Sequence, residues 1–208
     1  MPSRVKTGLS DGAPPSPLKG EANTNTAPSS ATLARLMTWL SPSFPVGGYS
    51  YSHGLEWIVE TSKVRDAATL GAWIEDILNL GAGRTDAIFL AEAWRAVAAG
   101  NGKLLGEVAE LAAAFAPSAE RRLETMAQGT AFLVATSAVW PTPALELLTG
   151  HTEVAYPVAV GASAAAHGLP LAATAQAFVQ AFAANLVSAG VRLIPLGQTD
   201  GLRVIARL

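Results

Sequence analysis

The sequence has no cysteine in 208 residues, which removes disulfides, thiolate metal ligands and thiol nucleophiles together. Charge is scarce as well. Asp, Glu, Lys and Arg make up 14% of the chain, against about a quarter in an ordinary soluble domain, so weakly polar surface must be hidden inside the fold or against a partner. A net charge of −2 with no basic stripe leaves little to neutralise phosphates, which argues against nucleic acid as the main ligand. Period-two alternation is nearly absent, so no sheet of consequence is expected. Catalytic signatures are missing too. Gly102-Lys103-Leu104 lacks the glycine spacing and the hydroxyl of a phosphate-cradling loop. Gly161-Ala162-Ser163-Ala164-Ala165 lacks the second glycine of a nucleophile elbow.

Only three histidines occur, His53, His151 and His167. His53 and Glu56, at i and i+3, have the spacing to share a metal or a proton, but a Glu near a helix start also favours the helix dipole. The pair is read as capping or solvated, and no metal site, catalytic group or cofactor is expected. Residues 1–30 are rich in Pro, Ser, Thr and Asn, are broken by Pro14, Pro15, Pro17 and Pro28, and hold no apolar run of the kind a signal peptide needs. They are expected to be a disordered tail. Thr125 to Leu145 and Val154 to Val191 carry no Asp, Glu, Lys or Arg, a length that could span a bilayer. Internal Pro, Gln and Asn, with alanine as the main apolar residue, favour buried helices of a bundle instead.

What the chain does have is helical period. Leu70, Trp73, Ile74, Ile77 and Leu78 repeat at i, i+3, i+4, i+7 and i+8 after Asp66, a good N-cap; Leu90, Ala93, Trp94 and Val97 repeat after Thr85. Glycines 81, 83, 100 and 102 and Pro117 separate these helices. Ser118 opens a longer helix to about Val139, and Phe178, Val179, Phe182, Leu186 and Val187 line another between Leu171 and Ala189. Arg121-Arg122, unfavourable for the dipole at a helix start, is read as a solvated face. Gln198-Thr199-Asp200-Gly201 reads as a turn. The segment from Leu196 to Leu208 is expected to order only on a partner. The expected fold is all-α: one domain, residues 31–208, of about eight to ten helices around a long central helix.

The most informative stretch runs from Ser41 to Glu56: Ser41-Pro42-Ser43-Phe44-Pro45-Val46-Gly47-Gly48-Tyr49-Ser50-Tyr51-Ser52-His53-Gly54-Leu55-Glu56. Pro42 and Pro45 bar a helix, and Gly47-Gly48 can take positive φ without steric cost, so the chain must turn. Tyr49, Tyr51 and Trp57 then set large amphipathic rings around Ser50, Ser52 and His53, a mixture suited to recognition.

This run resembles the N-terminal signature of the urease accessory proteins of the UreF type. Tyr156-Pro157-Val158-Ala159-Val160-Gly161 resembles that family's central motif, and the run Asn185 to Gly201 its C-terminal one. Gly48-Tyr49 stands where an Ala-Phe pair is more usual, and His53 where Gln is common. The resemblance covers the chain from about Leu33 to its end. It implies a cytoplasmic, non-enzymatic urease maturation chaperone. Such a protein binds a UreD/UreH-type accessory protein and recruits the GTPase UreG to the urease apoprotein for nickel insertion and carbamylation of the active-site lysine, and it leaves room for a homodimer. Tyr49, Tyr51, His53, Glu56, Gln198 and Arg203 are the residues expected to meet these partners. A small helical enzyme and a membrane-associated helical protein are the competing readings.

Overall fold

The computed structural model describes residues 29–48, 51–150 and 153–208. The expected tail up to residue 28, Tyr49 and His151 lie outside the described residues. Ser29 already caps a helix: its hydroxyl accepts from the Thr32 amide at 3.2 Å, and Ser30 is the first helical residue.

Among the described residues the fold is all-α, with ten helices and no strand. They are α1 (Ser30–Trp39), α2 (Leu55–Glu60), α3 (Ala67–Leu80), α4 (Ala82–Ala98) and α5 (Gly102–Ala114), then α6 (Ala119–Val139), α7 (Pro143–Thr149), α8 (Tyr156–Ala166), α9 (Leu171–Leu193) and α10 (Gln198–Arg207). Local chemistry explains several boundaries. Asp66 accepts from the Thr69 amide at 2.8 Å while the Thr69 hydroxyl accepts from the Asp66 amide, a reciprocal cap on α3. Ser118 caps α6 by accepting from the Arg121 amide at 3.1 Å. Thr85 is no cap: α4 begins three residues earlier, after Gly81, and the Thr85 hydroxyl donates back to the Gly81 carbonyl.

The centre of the fold corrects the expectation of one long helix. It is held by the short α8, whose residues from Pro157 to Ala164 are all buried, with α4, α6 and α9 packed around it. Small residues allow this. A Cβ on Gly161 would stand 2.2 Å from the Leu90 carbonyl oxygen of α4, and one on Gly129 would stand 1.9 Å from the Val154 carbonyl oxygen. Either substitution would force the packed backbones apart, α8 from α4 at Gly161 and α6 from the segment entering α8 at Gly129. α9 is long and apolar enough to cross a membrane; here it packs against α3, α4, α8 and α10.

Two apolar cores result. The larger gathers Trp39, Leu90, Phe132, Val158 and Phe178 from α1, α4, α6, α8 and α9. The smaller gathers Leu55, Ile58, Leu70, Ile74, Leu186 and Val204 from α2, α3, α9 and α10. The C-terminal segment is therefore not left to fold on a partner. Gly197 to Gly201 begins α10 rather than a free turn, and Gly201 and Val204 are buried against α9 and the smaller core. The apolar residues of this segment, Val204 and Ile205 among them, find the surface they cover within the chain itself.

Candidate functional site

Residues 41–48 and 51–54 belong to the connection from α1, in the larger core, to α2, in the smaller one. Positive φ at Gly47 (72°), His53 (55°) and Gly54 (79°) makes the crossing. His53 is a non-glycine residue in the left-handed region, a conformation that other contacts must hold in place. Those contacts lie beneath it. The His53 ring meets Phe182 edge-on at 4.9 Å between centroids, and its Nε2 is 3.4 Å from Glu124 Oε1 on α6.

Glu124 belongs to a buried ionic cluster. Arg121 reaches Glu124 Oε2 at 3.0 Å and donates through Nη2 to Asp86 Oδ2 on α4. Gln128, one turn further along α6, donates to Glu124 Oε1 at 3.2 Å. The Arg121 side chain is 13% exposed and Glu124, Asp86 and Gln128 are buried. Burial pushes the Asp86 carboxyl up to about 6, with the Arg121 charge offsetting only part of the desolvation and the Glu124 charge adding to it. Burial also pushes Glu124 up, but the His53 hydrogen bond and the Arg121 charge outweigh it and hold that carboxyl below its ordinary value. The cluster borders a small cavity of about 50 Å³ with a wall of mixed polar and apolar character, which residues of both cores, among them Tyr156, Phe178 and Leu186, also line.

This arrangement redistributes the sequence candidates. His53 does not pair with Glu56; it turns inward to Glu124, while Glu56 is exposed and accepts from the Ser52 hydroxyl. Arg121 is not on a solvated face but at the centre of the cluster. Its neighbour Arg122 donates to the Ala113 carbonyl and to Glu153. Tyr51 is half-buried against the small cavity beside the cluster. Gln198 and Arg203 lie far along the chain, exposed on α10, where Arg203 pairs with Asp200 at 2.9 Å. The residues that sequence reasoning missed, Asp86, Arg121, Glu124 and Gln128, left a signal. Asp86 is one turn before Leu90 on the apolar face of α4, and Arg121, Glu124 and Gln128 share the face of α6 that carries Phe132.

Among the described residues no three His, Asp or Glu side chains gather as a metal-ligand set. No nucleophile stands beside a base in the cluster either. What the geometry can do is mechanical and electrostatic: one guanidinium ties α4 to α6, and α6 in turn holds the turn at His53.

The model of the family described as UreF matches residues 64–208. The chain is 56% identical over 179 residues to the urease accessory protein UreF of Xanthobacter autotrophicus strain ATCC BAA-1158 / Py2, covering 85% of this chain and 74% of that protein. It is 55% identical over 184 residues to the protein of that name from Rhodopseudomonas palustris strain BisB5, covering 88% and 76%. For the one from Bradyrhizobium diazoefficiens the identity is 53% over 180 residues, covering 86% and 74%.

Proposed function

This chain belongs to the UreF family of urease accessory proteins, and we propose that it works in urease maturation as a cytoplasmic scaffold without catalysis of its own. In this reading it binds a UreD/UreH-type accessory protein and brings the GTPase UreG to the urease apoprotein, so that nickel insertion and lysine carbamylation are driven by another chain. The observation that carries the reading is the outer face of α6. Leu123, Ala127, Thr130, Val134 and Ala138 recur there at helical spacing, all exposed and all uncharged. A helix face of that kind gains by being covered. We assign it to a protein partner, either the second accessory protein or a second copy of this chain.

The smaller core offers a different, polar surface. α2 and α10 both pack into it, and they turn Glu56, Gln198 and Arg203 outward. We assign these residues, with Tyr51 of the neighbouring turn and with Tyr49 of the same sequence motif, to GTPase recruitment. His53 contributes from inside, by fixing the shape of that turn.

The test is co-purification of the full chain with the two accessory proteins. Val134→Glu is expected to abolish capture of the UreD/UreH-type protein or self-association while leaving the thermal midpoint of the isolated chain unchanged, since Val134 is 67% exposed. Capture and self-association both at wild-type level would remove α6 from the interface. Micromolar binding of GTP to the isolated chain by calorimetry would sink the non-catalytic reading.

A further inference from the structure

Asp86, Arg121 and His53 line both the small cavity beside the cluster and a second one, so part of the ionic cluster is a wall shared by two spaces. The second is larger, about 400 Å³, within the range of about 300–1,000 Å³ usual for ligand sites. It lies between the corner joining α3 to α4, the connection from α5 to α6, and the start of α8. Leu80, Phe89, Ala112, Phe115, Pro117 and Pro157 make most of its wall apolar.

The polar groups on this wall already have partners within the chain. The Thr85 hydroxyl donates to the Gly81 carbonyl, and the Thr125 hydroxyl accepts from the Tyr156 amide. Asp86 is ion-paired with Arg121, and both Arg121 and His53 reach Glu124, which stands off the wall. The wall's one carboxylate and one guanidinium thus close on each other, and a charged ligand would lose its water with no counter-charge left to meet it. What the cavity accepts is an uncharged, apolar occupant. Its rings narrow the class. Phe89 and Phe115 stand edge-on, 5.8 Å between centroids and 68° between planes, and form one unbroken aromatic side. A further aromatic ring laid against that side gains ring–ring contact beyond its buried area, which an aliphatic group of equal size does not. The rim bears on the source. Leu80 and Phe115, 78% and 59% exposed, flank the cavity as bare apolar surface, which a free aromatic molecule would leave wet and a protein surface would cover.

We propose that this cavity is a socket for an aromatic side chain of the phenylalanine type presented by a partner protein, with its ring against the side formed by Phe89 and Phe115. The α6 residues on its wall, Arg121 and Thr125, are not those of the outer face, and α10 contributes none. The socket is therefore a docking point separate from the two assigned above.

The test uses the full chain and the Nα-acetyl N-methylamides of phenylalanine, cyclohexylalanine and lysine, in chemical-shift titrations that need no partner. The phenylalanine compound is expected to saturate with shifts at Phe89, Phe115 and Ala112, about 2- to 12-fold more tightly than the cyclohexylalanine one, the gain of one ring–ring contact. The lysine compound should give no saturable shift. Phe115→Leu, which keeps the wall apolar, should reduce the preference, and Ala112→Leu, which fills the cavity, should block both rings. Equal or tighter binding of the cyclohexylalanine compound, saturable binding of the lysine compound or an undiminished preference in Phe115→Leu would overturn the proposal. Leu80→Asp, a charge placed on the exposed rim, tests the partner, and this arm rests on the scaffold reading. The variant should keep its thermal midpoint and lose at least about tenfold in capture of one among the UreD/UreH-type protein, UreG and the urease apoprotein, each offered singly. Undiminished capture of all three would leave a site for a free aromatic molecule and overturn the protein-borne occupant. A wild-type chain that captures none of them would instead sink the scaffold reading and the protein-borne occupant together.

Discussion

Under residues 41–54 four ionisable side chains, His53, Asp86, Arg121 and Glu124, are turned inward, whereas α10 keeps its Asp200–Arg203 pair at the surface. His53 and Asp200 each stand in a stretch that resembles the same family, so a distinctive motif does not say which way its charges face. The physics of the two differs accordingly. The buried cluster is costly to assemble and costlier to break, because removing one partner strands the others away from water. The Asp200–Arg203 pair, with the Arg203 side chain 73% exposed, adds almost nothing to stability and is free to exchange its partner for one on another protein. Inward charge shapes the turn; outward charge is available for recognition.

The strongest way to break this comparison is at Arg121. Arg121→Met keeps the stem but leaves Asp86 and Glu124 without their cation, and unfolding should become easier by about 3–5 kcal/mol, the range for breaking a buried pair from one side. Urea denaturation of the two chains measures it. A loss as small as that of a surface arginine would mean that the cluster is solvated and that the turn at His53 is held by packing alone.

Acid titration sharpens the same region. Asp86 rises from 3.8 to about 6 on folding, so between those values the folded chain holds a proton that the unfolded chain has released, and stability falls as pH climbs from 4 to 6. The rise corresponds to about 3 kcal/mol. Glu124, held low, acts in the opposite sense, losing its contribution as pH falls below about 4.5. Asp86→Asn removes only the first effect. Relative to that variant the wild-type chain should lose stability from pH 4 to pH 6, and parallel profiles would show that Asp86 titrates normally.

How much of this was legible in the sequence depends on how far each interaction reaches along the chain. The caps at Asp66 and Ser118 act over three residues, and sequence placed both. The all-α class, the divisions at Gly81 and Pro117 and the span of α6 followed from the same local rules. The cluster did not, because Arg121 and Asp86 are 35 positions apart and only the packing of α6 and α4 around α8 brings them together. The i, i+3 spacing of His53 and Glu56 pointed the wrong way, since positive φ at His53 and Gly54 turns the ring off that line. At the other end, Gln198 to Gly201 has the composition of a turn. It becomes a helix start because Asp200 accepts from the Gly197 amide at 3.3 Å and Gly201 fits against α9, and neither surface is visible in a linear reading.

That fit can be tested directly. A Cβ on Gly201 would stand 2.8 Å from Val191 Cγ2 and 3.3 Å from Val187 Cγ1, so Gly201→Ala should cost about 1–3 kcal/mol by overpacking and raise amide exchange through α10 before it is felt elsewhere. If α10 ordered only on a partner, the isolated variant and wild-type chains would exchange alike.

The smallest effect on the fold is expected at Arg203, and it bears most directly on recognition. Among the described residues Arg203 is hydrogen-bonded and ion-paired to Asp200 of its own helix, and an exposed i, i+3 pair contributes about 0.2–0.5 kcal/mol. Arg203→Ala should therefore leave the denaturation midpoint within a few tenths of a kcal/mol of wild type while α10 stays docked through Gly201 and Val204. Buried in an interface the same guanidinium changes weight, because Asp200 and a partner carboxylate would then compete for it away from water, and truncating such an arginine costs about 1–4 kcal/mol of binding. The discriminating measurement is GTPase capture by the variant beside Asp200→Asn, which frees the guanidinium without removing it. Weaker capture with Ala and undiminished capture with Asn would assign the contact to Arg203 itself. Equal losses would assign it to the Asp200–Arg203 pair as a unit, and wild-type capture by both would move recruitment off α10 to the turn at Tyr51 and Glu56.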